Sequence, residues 1–207
     1  MSPTSLQSSA SHRRDLARTA YDLLTAVSMT VGRGPAARLV ASLSSKDRVV
    51  DIGCGPGTAV RTAARQCASV TGVDPAPEML RLGRWITSRK HLANVRFIAG
   101  HAEALPVPDA SATVAWALSS VHHWPGQAAG LAETARVLTP GGRILLAERQ
   151  AKPGARGHAA HGLTRDQVAQ LAARLQAAGF TAVSVQTRQA GRRTLLIVTG
   201  SLPAPAR

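Results

Sequence analysis

Apolar and polar positions along this chain switch repeatedly between a helical rhythm and a strand rhythm. Residues 15–31 and 35–43 read as two helices, the second opened by Pro35 and carrying Leu39, Val40 and Leu43 on one side. DRVVDIG (residues 47–53) is a short apolar run of the kind that forms a buried strand. TAVRTAARQ (58–66) reads as a helix and SVTGVD (69–74) as a second strand. APEMLRLGRWI (76–86) shows helical spacing through Met79, Leu82 and Ile86, and NVRFIAG (94–100) is a third strand. SATVAWAL (111–118) is a fourth strand, and AAGLAETARVL (128–138) is a helix with Leu131, Ala135 and Leu138 on one face. TPGG (139–142) predicts a turn into RILLAE (143–148), the fifth strand.

A short polar linker, RQAKPGARGHAAHG (149–162), precedes the last helix. Thr164 and Gln167 form a capping-box pattern ahead of Val168, Leu171, Ala172 and Leu175, with Gly179 as the stop. FTAVSVQT (180–187) and TLLIVTG (194–200) finish as two strands around the turn RQAGRR. Five strand–helix alternations closed by a hairpin predict an α/β fold. Its form is a three-layer, Rossmann-like, doubly wound seven-stranded sheet, mostly parallel, with an antiparallel strand in the C-terminal hairpin. The expected division is a flexible tail over 1–14, a helical segment over 15–44, a ligand-binding domain over 45–200 and a second tail over 201–207. No internal repeat is present.

Composition narrows the setting. Hydrophobic residues make up 44% of the 207 residues and charged residues 17%, the balance of a globular chain. No apolar run approaches the roughly 18 residues of a membrane span. The N-terminal Ser- and Arg-rich stretch lacks the apolar core of a secretory signal. Cys54 and Cys67 are the only cysteines, so there is neither a disulfide framework nor a four-cysteine zinc site, and a cytoplasmic location fits. The formal net charge of +14 points to an anionic partner, or else to an Arg-rich composition spread from Arg13 to Arg207. Aromatics at 3% leave few platforms for stacking bases, which disfavours nucleic acid.

The chemistry concentrates in VVDIGCGPGTA, residues 49–59. In doubly wound sheets the ligand lies beyond the carboxyl ends of the strands, and this glycine turn follows the first strand. A dinucleotide site needs G-x-G-x-x-G. Gly53 and Gly55 fit that spacing, but Thr58 stands where the third glycine belongs and Gly57 precedes it. Asp51, two residues before the turn, is a poor neighbour for a pyrophosphate. It suits a ligand presenting a cation, such as the ammonium and sulfonium of S-adenosylmethionine.

VVDIGCGPGTA followed by GVDPAPEML, GHAEALPVPDASATVAWALSSVHHW and ARVLTPGGRILLAE resembles the class I S-adenosylmethionine-dependent methyltransferases, in particular the small ubiquinone/menaquinone-biosynthesis-like branch. The resemblance runs from about Tyr21 to Glu148. It implies S-adenosyl-L-methionine as cofactor, S-adenosyl-L-homocysteine as product, and methyl transfer to an O, N or C atom of a small-molecule acceptor of quinone, lipid-like or polyketide type. It also implies roles. Gly53, Gly55 and Gly57 let the backbone approach the methionine portion, and Asp51 holds its amino group. Asp74 takes the ribose hydroxyls, while Pro75 and Met79 border the adenine. Tyr21 belongs to the helical lid. Where relatives have Gly-Asp-Ala after the third strand, this chain has Gly100-His101-Ala102. The Ala102 N–H still serves the ring, whereas His101 accepts from the adenine amino group only when neutral, so cofactor affinity is expected to fall as pH drops through the histidine range.

The resemblance places the acceptor above the end of the fourth strand, at ALSSVHHW. Ser119 and Ser120 offer carbonyl or hydroxyl groups near the methyl. His122 and His123 are candidates for a general base; the alternative is that the pair only shapes the loop with Trp124. Two adjacent histidines are not a metal motif, and His158 and His161 sit in the linker without matching carboxylates, so no metal is expected. The Asn/Asp-Pro-Pro-Tyr/Phe sequence of nucleic-acid amino methyltransferases is missing, which argues against base N-methylation and leaves other RNA acceptors open. The short linker leaves the pocket open, or completed by the second subunit of a homodimer, and an Arg-rich mouth suits an anionic acceptor. A cofactor-binding protein without transferase activity is the reading from outside the enzymes.

Overall fold

The computed structural model describes residues 43–156, 161–190 and 193–205. The expected tail over 1–14, almost all of the 15–44 lid, Tyr21 and His158 lie outside the described residues. Seven strands form one sheet in the order β3-β2-β1-β4-β5-β7-β6. They are β1 (Arg48–Ile52), β2 (Ser69–Asp74), β3 (Val95–Ala99), β4 (Ala112–Leu118), β5 (Leu138–Arg149), β6 (Thr181–Ala190) and β7 (Arg193–Ser201). Strands β1 to β5 are parallel, and β7 is antiparallel to both β5 and β6. The helices are α1 (Thr58–Ala63), α2 (Pro77–Ser88), α3 (Gln127–Val137) and α4 (Arg165–Ala177). The doubly wound sheet with its antiparallel hairpin is as the sequence pattern predicts.

Period-two alternation in the central strands divides the core between the two sheet faces. Val50 and Ile52 of β1 join Ala115 and Ala117 of β4, Leu131 of α3, and Leu171 of α4. Val49 joins Val114, Trp116 and Leu118 on the other face, with Val60 of α1 and Leu80 of α2. Because both faces are covered, β1 and β4 read as continuous apolar runs. At α4 the capping box forms as expected: the Thr164 hydroxyl accepts from the Gln167 N–H, and the Gln167 side chain accepts from the Thr164 N–H.

Three elements depart from the sequence pattern. The buried face of α2 is Met79, Leu80, Gly83 and Thr87, with Leu82 and Ile86 only half-buried. Phe97 of β3 is the cause, since a Cβ on Gly83 would lie 2.9 Å from its ring. The helix therefore buries Met79, Leu80 and Gly83 and leaves Leu82 and Ile86 toward its edge. The TPGG stretch is absorbed into β5, as a register shift between Ala112 and Val114 on β4 carries the strand through it with Gly141 at φ 76°. The last hairpin pairs out to Ala190 and Arg193, so most of the expected turn RQAGRR is strand. Beyond β7, the Leu202 N–H donates to Gly142 and the Gly141 N–H to Pro203, tying the start of the C-terminal segment to the sheet.

The end of the sheet opposite the glycine turn is knotted by Asp47. Its carboxylate accepts from Ser44 N–H at 2.7 Å, Thr113 Oγ1 at 2.8 Å and the Arg143 guanidinium at 2.8 and 3.3 Å. Burial alone would raise this carboxyl's pKa, but the Arg143, Ser44 and Thr113 hydrogen bonds outweigh it and bring the value from 3.8 to about 2. A depressed folded-state pKa stabilises the fold above the unfolded-state value, and that stability is lost as pH falls from about 4 to about 2. Asp47→Asn should therefore cost about 2 kcal/mol at neutral pH, with the difference from wild type closing below pH 3. Urea unfolding at pH 7 and pH 2.5 checks it; an equal deficit at both pH values would contradict the linkage.

Candidate active site

β1 has β2 on one side and β4 on the other, so the chain reverses its direction of winding at β1. A cavity of about 240 Å³ opens there, over the carboxyl ends of the central strands. The turn after β1 forms its floor. Gly53 N–H and Cys54 N–H both donate to the Val73 carbonyl, at 2.8 and 3.0 Å. Gly55 N–H donates to Asp74 Oδ2 at 2.7 Å, and Asp74 Oδ1 accepts from Ala76 N–H at 3.0 Å. Asp74 thus braces the glycine turn from the cavity wall. On the opposite wall the Ser120 hydroxyl donates to the Ile52 carbonyl at 2.7 Å, joining β4 to β1 at the switch point.

Of the sequence-designated cofactor residues, Gly53, Gly55, Asp74, Pro75, Met79, His101 and Ala102 line this cavity. Asp51, Gly57 and Ser119 do not. Asp51 is buried within β1, opposite Gly72 and Trp116 in register. Gly57, at φ 74°, is the N-cap of α1, and a Cβ there would run into the Phe97 ring. Ser119 takes a left-handed φ of 54° and donates its N–H to Ala147 at 2.7 Å, turning the chain so that Ser120 faces the cavity in its place. A non-glycine residue in that region costs about 1–2 kcal/mol, and such strain collects at sites. His101 is exposed at the cavity mouth. The nearby Glu103 carboxylate is engaged by the Gly126 N–H at 2.9 Å. Substituting His101→Asp supplies an acceptor-only group on the same wall. It should tighten S-adenosylhomocysteine binding roughly tenfold, the worth of one hydrogen bond to a charged group. Calorimetry at neutral pH checks this, and unchanged affinity would exclude His101 from the adenine contact.

The far end of the cavity is built by His123, Trp124 and Pro125. His122 and His123 lie on a 3-10 turn, Val121–His123, directly after β4. Their rings pack against each other with centroids 3.9 Å apart and planes tilted by 42°. Sequence reasoning missed the group behind them. Glu148, 1% exposed at the end of β5, accepts from His122 Nδ1 at 2.8 Å and from the His122 N–H at 3.4 Å. A carboxylate withdrawn from water needs hydrogen-bond partners, and among the described residues both of these bonds go to His122. The bond fixes Nδ1 as the donor and leaves Nε2 as the ring's acceptor. The available signal was the pairing of β4 with β5, which sets Leu118 opposite Ala147 and so brings the ends of the two strands together. His161 also arrives from the linker, its ring centroid 5.8 Å from that of His122 and 5.6 Å from that of His123. The expectation of no metal took the adjacent pair and the linker histidines separately; the fold brings His161 beside the pair.

Residues 50–146 match the family model described as a methyltransferase domain. The chain is 40% identical over 111 residues to 27-O-demethylrifamycin SV methyltransferase of Amycolatopsis mediterranei, a match covering 51% of this chain and 40% of that protein. It is 40% identical over 134 residues to demethylmenaquinone methyltransferase of Deinococcus radiodurans, covering 62% of this chain and 55% of that one. The chain spans about half the length of the curated relatives it matches. In fold it is similar to a SAM-dependent methyltransferase from Aquifex aeolicus, with TM-score 0.66, 17% identity, and 78% of this chain and 85% of that one covered.

Proposed function

We infer that this chain is a class I S-adenosylmethionine-dependent methyltransferase that transfers a methyl group to a small organic acceptor, which loses a hydroxyl proton in reacting. A phenol or hydroquinone, methylated on oxygen or on the carbon its oxyanion activates, is the acceptor class in question. The relatives are named for 27-O-demethylrifamycin SV and for demethylmenaquinone, an oxygen acceptor and a quinone-type acceptor.

The observation that carries the reading is a single cavity running from the Gly53–Gly55 turn and Asp74 to His123 and Trp124. The cofactor fits the first end. The close approach between Gly53 and Ser120 leaves no room for a Cβ, and Asp74 presents its carboxylate to the cavity, where a diol can reach it. Asp74 takes the ribose hydroxyls, Pro75, Met79, His101 and Ala102 border the adenine, and Asp51 acts on the ammonium from behind the turn. When bound, S-adenosylmethionine supplies a methyl group on a cationic sulfur. Trp124 and Pro125 exclude water from the acceptor's face and hold it at attack distance.

His123, at the cavity wall, receives the acceptor's hydroxyl proton, with His122 packed behind it and oriented by Glu148. The bound cofactor would supply the methyl to the acceptor's oxygen or activated carbon, leaving as the neutral thioether, and the histidine pair would hold the acceptor's proton. Purified chain supplied with labelled cofactor should label simple phenols and hydroquinones and leave total RNA unlabelled. Label in RNA with none in the phenols would overturn this reading, and binding of S-adenosylhomocysteine tests the cofactor half separately.

Among the described residues, no helix is long and apolar enough to cross a membrane. The excess of basic residues favours an anionic acceptor, and the oxyanion of a phenol is one.

A further inference from the structure

The histidines at the end of the cavity form a third-order contact that methyl transfer does not require. The candidate ligand nitrogens of His122, His123 and His161 all lie within 4.8 Å of one another. His161 is not placed there by chance of a loose loop. The Leu163 N–H donates to Arg149 O at 3.0 Å, the Ala151 N–H to Leu163 O at 2.9 Å, and Arg149 Nε to His161 O at 3.0 Å. Between these bonds Gly162 takes φ 126° against the Arg149 carbonyl, where a side chain has no space. The segment is thus clamped to the end of β5, the strand that also presents Glu148.

We propose that His122, His123 and His161 bind one divalent transition metal, and that the bound metal holds the methyltransferase in an inhibited state. Three observations converge on it. The first is the donor set: three imidazoles with no thiolate and no direct carboxylate select zinc, copper, nickel or cobalt over magnesium or calcium. The second is that His122 Nε2 is buried and has no hydrogen-bond partner among the described residues, while Nδ1 is held by Glu148. A carboxylate on the outer nitrogen of a ligating histidine is the usual support of a metal-bound imidazole. The third is distance. Tetrahedral zinc, with Zn–N near 2.1 Å, needs nitrogens roughly 3.4 Å apart, which each ring reaches by moving less than about 1 Å.

Three protein ligands leave an open position for water or an acceptor oxygen. The consequence for catalysis follows from the lone pairs. A nitrogen that coordinates metal cannot accept the acceptor's proton, so metal and proton transfer exclude one another at the histidine pair. The inhibitory half rests on the proposed role of that pair; the binding half stands without it.

The test uses the untagged full chain with Zn²⁺, and Co²⁺ as a coloured probe. Wild type should bind one zinc per chain, measured by calorimetry, and give the intense visible absorption of tetrahedral cobalt. His161→Ala and His161→Gln, which leave the base and the cofactor cradle intact, should weaken zinc binding at least 30-fold, and Glu148→Gln 10- to 100-fold. Zinc should stop phenol methylation by wild type at the concentrations where it binds, with full recovery on chelation, and leave the His161 variants unaffected. No zinc binding by wild type, binding undiminished in both His161 variants, or methylation unchanged by saturating zinc would each overturn the proposal. If no acceptor is ever methylated, the binding and cobalt arms still read the site, so the two failures are distinct.

Discussion

Substituting Gly53→Ala should abolish cofactor binding. Two independent obstacles meet at this residue. Its φ of 72° lies in the left-handed region, where a Cβ costs about 1–2 kcal/mol. The Cβ would also stand 2.5 Å from Ser120 Cβ and 2.7 Å from its hydroxyl. Ser120 cannot retreat cheaply, because its hydroxyl bridges to the Ile52 carbonyl and joins the two strands at the switch point. Either the turn or the bridge must shift, and both are walls of the cavity. S-adenosylhomocysteine affinity should fall at least 100-fold, with a stability loss of about 2–3 kcal/mol. The double variant Gly53→Ala/Ser120→Gly separates the causes. It removes both the clash and the Ser120–Ile52 bridge and keeps the backbone strain, so its stability relative to Ser120→Gly alone should fall by the strain only. Calorimetry with S-adenosylhomocysteine beside thermal unfolding reads both; wild-type affinity in Gly53→Ala would show that the turn does not approach the ligand.

What the sequence disclosed and what it withheld divide along a physical line. Contiguous features were legible. The apolar runs of β1 and β4, the Thr164–Gln167 box and the spacing from Asp51 through the glycines to Asp74 are local patterns, and local patterns set strands, caps and turns. Features made by packing between distant segments were not. The α2 face turned on Phe97 meeting Gly83, a contact between a helix and the following strand that no periodicity records. Ser120 rather than Ser119 faces the cavity because Ser119 adopts a left-handed backbone, and nothing in ALSSVHHW says which of two serines will do so. Glu148 and His161 reach His122 only because β4 and β5 are neighbours and the linker is clamped back onto β5. The end of the cavity at the glycine turn lies mostly on one turn and one strand end, and its lining was readable. The end at His123 is assembled from three separated segments, and was not.

That assembled half carries the second large effect. Glu148→Gln preserves the size of the buried side chain and replaces an acceptor-only group by one that also donates. Facing His122 Nδ1 at 2.8 Å, the new amide is free to present its NH₂ group, which favours the tautomer with the proton on Nε2. The His122 ring then loses the anionic support that steadies it against His123, and the base of the proposed mechanism is weakened. The rate of methyl transfer should fall by roughly 10²–10⁴, the usual worth of general base catalysis. The cofactor site is formed by other residues, so S-adenosylhomocysteine affinity should stay within about twofold of wild type, as uniform binding is untouched. A merely structural role for Glu148 makes a different prediction, in which affinity and melting temperature fall together with rate. An acceptor supplied already ionised, such as a nitrophenol above its own pKa, no longer needs the base and should recover most of the lost rate in Glu148→Gln. Failure of that rescue, with binding intact, would mean that Glu148 positions the acceptor and not the proton.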